Sequence, residues 1–358
     1  MRWPLFGQVA TLHRGTTDCR APEKTVDEFV KRLLLIFGLV LLVAVSLGAV
    51  YYNLLLPRQQ PASNLKVDLT PERIARGRYL GINVLQCVDC HSERNWGLYG
   101  GPPREPVGAG RACLTRETEA AGVNVGQANF PGVLCIRNIT PDEDTGIGRW
   151  TDGEIIRAVR EGVDHQGKGL FPIMPYFVYA HVADADMEAV VAYLRSMAPV
   201  RSARTPQRQV DFPLNMLIQL WPKPVKGPVL APKPADRIAY GRYLATIARC
   251  EFCHTPRPMN SMDGFPGREF AGGMPFYLTR ERIMYSMNLT PHKTGLGPWT
   301  KEQFIRRFRE RAVPRPVSLK DNTLMNWSAF AGMTDEDLGA LYDFFRTLPP
   351  VPYQQEPI

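Results

Sequence analysis

Hydrophobic and polar positions follow three patterns along the 358-residue chain. The first is an unbroken apolar run, Leu33–Leu56, of 24 residues without a charge. At about 1.5 Å per residue, a helix of that length exceeds the roughly 30 Å hydrocarbon core of a bilayer. The second is helical periodicity: Met187, Val190, Val191 and Leu194, and again Leu338, Leu341, Tyr342 and Phe345, recur at the i, i+3, i+4, i+7 spacing of one buried face. The third is an apolar island, Phe212–Trp221, inside a segment (201–234) otherwise rich in proline and basic residues. Start signals accompany the helices. Thr70 precedes Pro71, a favoured first helical residue, and Thr151 with Glu154 and Thr300 with Gln303 form capping boxes after Trp150 and Trp299. The pattern predicts one spanning helix at 33–56, then two sets of short amphipathic helices at 57–200 and 235–358, joined by the 201–234 linker.

The two sets repeat one another. "RGRYL" (Arg76–Leu80) precedes "CVDCH" (Cys87–His91), and "YGRYL" (Tyr240–Leu244) precedes "CEFCH" (Cys250–His254). "NITPDEDTGIGRW" starts at Asn138 and "NLTPHKTGLGPW" at Asn288. Met325 and Val351 follow Met174 and Val200 by the same 151 residues, so the terminal pieces align without a gap.

Composition excludes a disordered chain, at 44% apolar and 22% charged residues. The 32 prolines and 30 glycines call for long ordered loops between short helices. Arg20, Lys24, Lys31 and Arg32 lie before the apolar run and only Arg58 and Lys66 soon after it, which puts residues 1–32 in the cytoplasm and the rest outside. The run exceeds the usual signal-peptide core, and Ser46-Leu47-Gly48 is a weak cleavage site, so an uncleaved anchor is favoured over a signal peptide.

Cys-x-x-Cys-His in that compartment has three readings. Zinc would want a second Cys or His pair nearby, and a thioredoxin-like site would want a βαβ setting; the flanks of Cys87 and Cys250 offer neither. Attachment of c-type haem fits best. Cys87 with Cys90, and Cys250 with Cys253, would add to the vinyl groups of one porphyrin each, and His91 and His254 would ligate the two irons. Most methionines are core filler. Met174 and Met325 differ, because they share one repeat position in a non-helical stretch before the last helix, where a sulfur would face the other side of the iron. Met187 and Met197 read as packing residues, and His165, His181 and His292, without repeated partners, as surface or loop residues.

With these motifs each half resembles a class I cytochrome c domain, and the pair resembles the multihaem cytochrome c subunits of membrane-bound bacterial alcohol and sugar dehydrogenases. The likeness spans most of residues 70–351, and the chain differs from three-haem subunits in having two motifs and an amino-terminal anchor. It implies an all-α fold of two tandem class I cytochrome c domains after one transmembrane helix, two haem c groups with His/Met-ligated iron, Trp150 and Trp299 near propionates, and the Asn138 and Asn288 loops along the haem edge.

Two strong-field ligands leave no open position on an iron, so the expected task is electron transfer between a dehydrogenase or quinol-oxidising partner and a soluble cytochrome or terminal oxidase. The alternative is a dihaem enzyme, peroxidase-like or thiosulfate-oxidising, with one iron vacant. The location expected is the bacterial inner membrane with the haem domains in the periplasm, and no nucleic-acid partner. Relative to the second half, the first carries 14 extra residues between Cys113 and Cys135, which predicts a Cys113–Cys135 disulfide over two unpaired thiols, with Cys19 reduced inside. The apolar island is expected to pack between the two haem domains and fix their distance, with a partner-docking helix as the alternative. Finally, residues 57–200 hold 15 Lys and Arg against 17 Asp and Glu, whereas residues 201–358 hold 22 against 14. Either Arg306, Arg307 and Arg309 belong to a solvated basic face, or they dock an acidic redox partner or anionic lipid.

Overall fold

The computed structural model describes residues 23–57, 60–115, 131–202, 209–257, 263–279 and 282–354. Cys19 and the segment before Glu23, most of the insertion between Cys113 and Cys135, and linker residues 203–208 lie outside the described residues. Helix α1 (Glu23–Leu55) contains a stretch, Asp27–Tyr52, long and apolar enough to cross a membrane. It starts before the uncharged run, since nothing in "EKTVDEFVKR" breaks a helix. It belongs to one unit, and Pro57–Ile358 form a second, compact one.

In the second unit one series of elements occurs twice. The first half has α2 (Pro71–Tyr79), α3 (Cys87–Cys90), the hairpin β1 (Arg111–Leu114) and β2 (Gly132–Ile136), α4 (Asp152–Glu161), α5 (Tyr176–Tyr179) and α6 (Asp184–Ser196). The linker adds β3 (Gln209–Val210) and α7 (Leu214–Leu217), extended by a 3-10 turn over Ile218–Leu220. The second half has α8 (Arg237–Ile247), α9 (Cys250–His254), β4 (Pro275–Thr279), β5 (Arg282–Tyr285), α10 (Lys301–Arg309), α11 (Trp327–Phe330) and α12 (Asp335–Arg346). Thr70 caps α2, and both capping boxes form, at α4 and α10.

Each half is organised by one helix crossing, α2 on α6 and α8 on α12. A glycine sits at each. A Cβ on Gly77 would lie 1.7 Å from the Ala189 carbonyl oxygen, and one on Gly241 would lie 2.0 Å from that of Ala340. Only hydrogen at these positions lets the backbones touch. Between Gly77 and Cys87 the first half carries one residue more than the second does between Gly241 and Cys250. A π turn over Leu80–Val84 absorbs it, closed by Leu85 N–H donating to the Leu80 carbonyl at 2.8 Å. The helix thus still delivers its cysteines at the matching place.

Two antiparallel pairs, β1–β2 (extended by β3) and β4–β5, depart from the all-α expectation. Segments such as "GVLCI", "PFYLT" and "RIMY" are β-branched and aromatic, and they pair where a long loop returns on itself. Cys113 and Cys135 are register partners across β1–β2, and a disulfide joins them.

The apolar island does not sit between the halves. Ile218 is fully buried with Leu134, Phe171 and Val210, all of the first half or the adjoining strand, while Phe212, Leu217, Leu220 and Trp221 are exposed. The halves instead meet through reciprocal contacts. Tyr79 Oη donates to Asp337 Oδ2 (2.6 Å) and accepts from Thr334 N (3.2 Å). Tyr243 Oη donates to Asp186 Oδ2 (2.7 Å) and accepts from Ala183 N (3.2 Å). Tyr79 and Tyr243 are the same residue of the repeated "GRYL" phrase, so the contact has local two-fold character, the residue-to-residue exchange of an isologous interface.

Candidate functional site

Both Cys-x-x-Cys-His segments are single helical turns, each preceded by a non-glycine residue in the left-handed region, Gln86 (φ 58°) and Arg249 (φ 62°). Such a conformation is uncommon outside glycine and asparagine. Its repetition marks a shape that both halves require: a sharp entry that brings two thiols onto one turn. None of these four cysteines is in a disulfide, and burial, with the neighbouring Cys90 or Cys253, pushes the Cys87 and Cys250 thiols up to about 12.

His91 Nδ1 lies 2.7 Å from the Arg137 carbonyl oxygen and His254 Nδ1 2.7 Å from that of Met287. A carbonyl only accepts, so Nδ1 carries the proton and Nε2 presents its lone pair. Burial lowers both histidines, favouring the neutral ring that a metal needs. Behind each ring the chain is strapped by a glycine: Gly110 N–H donates to the His91 carbonyl (2.8 Å) and Gly272 N–H to that of His254 (2.7 Å). Both glycines have positive φ and no room for a Cβ. Their signal, "GAGRA" and "AGGMP", was legible as a repeat only once the hairpins were known.

Met174 and Met325 occupy equivalent turns in the two halves. Each is half-buried against the core, and each accepts at its carbonyl from the N–H two residues on, Tyr176 or Trp327, at 2.8 Å. The turns are braced differently. Ahead of Met174, Phe171 packs on Ile218 of the linker, and Gly169 N–H donates to Gln219 Oε1 (2.9 Å). Ahead of Met325, buried Asn322 is clamped by the first half: it accepts from Gly100 N (2.8 Å) and donates to the carbonyls of Trp96 (2.8 Å) and Leu98 (3.0 Å).

Asn138 and Asn288 are buried and fully engaged with protein. Asn138 Nδ2 donates to the Val200 carbonyl (2.7 Å) and Thr145 Oγ1 (3.0 Å), while Oδ1 accepts from Thr140 N (2.9 Å) and Oγ1 (2.7 Å). Asn288 repeats all four contacts with Val351, Thr294 and Thr290. These amides tie each loop to the chain leaving the last helix. Trp150 and Trp299 are half-buried, with the guanidinium of Arg137 (5.7 Å) and Arg307 (5.4 Å) over their rings. His165, expected as a surface or loop residue, stacks on Trp150 with ring centroids 4.5 Å apart.

Among the described residues, no group of three or more His, Cys, Asp or Glu could hold a metal by itself. Each half instead supplies two cysteine sulfurs on one turn, an imidazole Nε2 left free to ligate, and a thioether on a separate turn. That donor set fits a covalently attached haem, whose porphyrin brings four of the iron's ligands.

No family model matches the chain. It is 32% identical over 306 residues to the alcohol dehydrogenase (quinone) cytochrome c subunit of Gluconacetobacter polyoxogenes, covering 80% of this chain and 58% of that protein. It is 31% identical over 283 residues to the gluconate 2-dehydrogenase cytochrome c subunit of Pantoea cypripedii, covering 73% of this chain and 54% of that protein. A diheme c-type cytochrome of Cereibacter sphaeroides is 35% identical over 131 residues, 35% of this chain and 44% of that protein. The chain spans somewhat over half the length of the dehydrogenase subunits it matches. Over most of its length, the chain is therefore a homologue of the cytochrome c subunits of bacterial alcohol and gluconate dehydrogenases.

Proposed function

We propose that residues 57–358 form two tandem cytochrome c domains, 57–200 and 235–358, and conduct electrons as the cytochrome subunit of a membrane-bound dehydrogenase. The observation that carries this reading is the double occurrence of one donor set: Cys87, Cys90, His91 and Met174, then Cys250, Cys253, His254 and Met325. Haem c, when bound, would supply a one-electron iron couple, and His91 with Met174, and His254 with Met325, would hold its iron and leave no position for substrate. The residues do the rest. The two thiols of each turn fix the group covalently, the carbonyls of Arg137 and Met287 hold each imidazole in the ligating tautomer, and the braced turns keep Met174 and Met325 in place. Recurrence of the methionine supports electron transfer over a dihaem enzyme with a vacant iron.

The dehydrogenase names of the relatives support a dehydrogenase as donor, with a cytochrome or terminal oxidase as acceptor. The apolar stretch of α1 supports an anchor in the bacterial inner membrane with both domains in the periplasm, where the Cys113–Cys135 pair would stay oxidised. Replacement of Met174 or Met325 by alanine tests the central claim. Each variant should keep both haems covalently attached, lose the long-wavelength ferric band of methionine-ligated haem at that site, and show a high-spin, lower-potential haem there. A variant with an unchanged visible spectrum and potential would remove that methionine from the ligand set.

A further inference from the structure

The two attachment turns meet at the local two-fold axis. Gln86 and Arg249 are counterparts, each the left-handed residue just before a first cysteine, and they bond to each other: Arg249 Nη2 donates to Gln86 Oε1 at 2.8 Å. Asn326, next to Met325, donates to the same oxygen at 2.6 Å, and Arg94 donates to Asn326 Oδ1 at 2.6 Å. The Arg249 guanidinium is electrostatically coupled to Tyr179, to Cys90 of the first motif and to Cys253 of the second. The charged groups here are Arg249, Arg94 and Asp89, which lies 3.9 Å from Arg94. Counting Asp89 as a full negative charge, the junction still carries a net positive charge, on a buried Arg94 and a half-buried Arg249, where charges are screened less than in bulk water.

We propose that Arg249 is a positioning residue shared by both haem sites, a fixed cation on the two-fold axis that raises both reduction potentials together. The inference rests on the two-haem reading. A fixed positive charge disfavours the ferric state of any haem near it, and one placed between two equivalent turns shifts both in the same direction. The potentials rise without being driven apart, so an electron can pass between the sites in either direction with little bias.

Spectroelectrochemical titration of the full-length holoprotein tests this. Arg249→Gln, which places at this position the side chain its counterpart already has, should lower both midpoints, by about tenfold in the ferrous-to-ferric ratio at fixed potential, or about 59 mV for a one-electron couple. Arg249→Lys should keep most of the wild-type potential. Gln86→Glu leaves Arg249 in place and is isosteric; by pairing with the guanidinium it should lower both midpoints as well, and it decides the matter alone should Arg249→Gln not accumulate with haem. The proposal is overturned by Arg249→Gln or Gln86→Glu protein that holds two haems at wild-type midpoints, by a fall confined to one haem, or by a lysine variant that falls as far as the glutamine one. Wild-type protein with fewer than two covalent haems would overturn the two-haem reading along with it.

Discussion

At the scale of single residues, the two buried asparagines explain why "Asn-x-Thr-Pro" appears twice. From a buried position Asn288 makes four hydrogen bonds, linking Thr290 and Thr294 to Val351 beyond the last helix. Removing its side chain leaves the buried Thr290 N–H without its acceptor and the Val351 carbonyl with the Thr290 hydroxyl (3.1 Å) in place of the amide. Asn288→Ala should therefore cost about 2–4 kcal/mol, seen as a lower midpoint of thermal unfolding with the ferrous spectrum little changed at low temperature. A direct contact to the haem edge, in the place where the family resemblance puts these loops, would instead show first in the spectrum or the potential. Arg309 is a second residue whose role changed on folding. It pairs with Asp335 and donates to the carbonyls of Ala331 and Met333, tying α10 to the entry of α12. It is a structural cation, whereas Arg306 is largely exposed with only a long contact to Glu310, and Arg307, less exposed, also lies over the Trp299 ring.

At the scale of elements, the helix crossings decide where the attachment turns go. Gly241→Ala sets two effects against each other. Alanine gains about 1 kcal/mol of helix propensity over glycine. Its Cβ, however, would lie 2.0 Å from the Ala340 oxygen and 3.0 Å from Phe344 Cβ, and a helix backbone cannot step aside as a side-chain tip can. Overpacking of this kind costs about 1–3 kcal/mol or more, and it wins. The variant should melt at lower temperature and accumulate with less covalently attached haem than wild type, since α8 leads directly into Cys250. A melting temperature at or above wild type would show that α8 and α12 do not touch at this point.

At the scale of the whole molecule, charge is unevenly shared: residues 201–358 carry 22 basic against 14 acidic side chains, and residues 57–200 carry 15 against 17. Side-chain exposures of 64% for Arg306 and 41% for Arg307 leave both able to steer an acidic redox partner, through a field screened over about 8 Å at physiological salt. The double substitution Arg306→Glu and Arg307→Glu should slow bimolecular electron transfer with a purified acidic partner and flatten its dependence on ionic strength, leaving both haem spectra intact. A rate and salt dependence equal to wild type would return this surface to a merely solvated face. Arg309 is best left untouched in that test, because its loss would loosen α12.

How much of this was readable beforehand follows from the range of the forces involved. The apolar run, the capping boxes, the amphipathic final helices and the repeated Cys-x-x-Cys-His and methionine positions are local patterns, set by helix geometry and by the spacing of donor atoms, and the sequence alone determines them. The glycines at the helix crossings stood in plain view inside "RGRYL" and "YGRYL", yet their reason, a backbone from the far end of each half, is not local. The same holds for Tyr79 and Tyr243, which read as ordinary helix residues until each meets the aspartate of the opposite half. Only the tertiary structure decided that the linker island packs on the first half around Ile218, that the two methionine turns are braced by different neighbours, and that Gln86 and Arg249 face each other. Each of these is a contact between segments far apart in the chain, chosen by shape, by burial and by the requirement that buried polar groups find partners, and no periodicity along the sequence records such a choice.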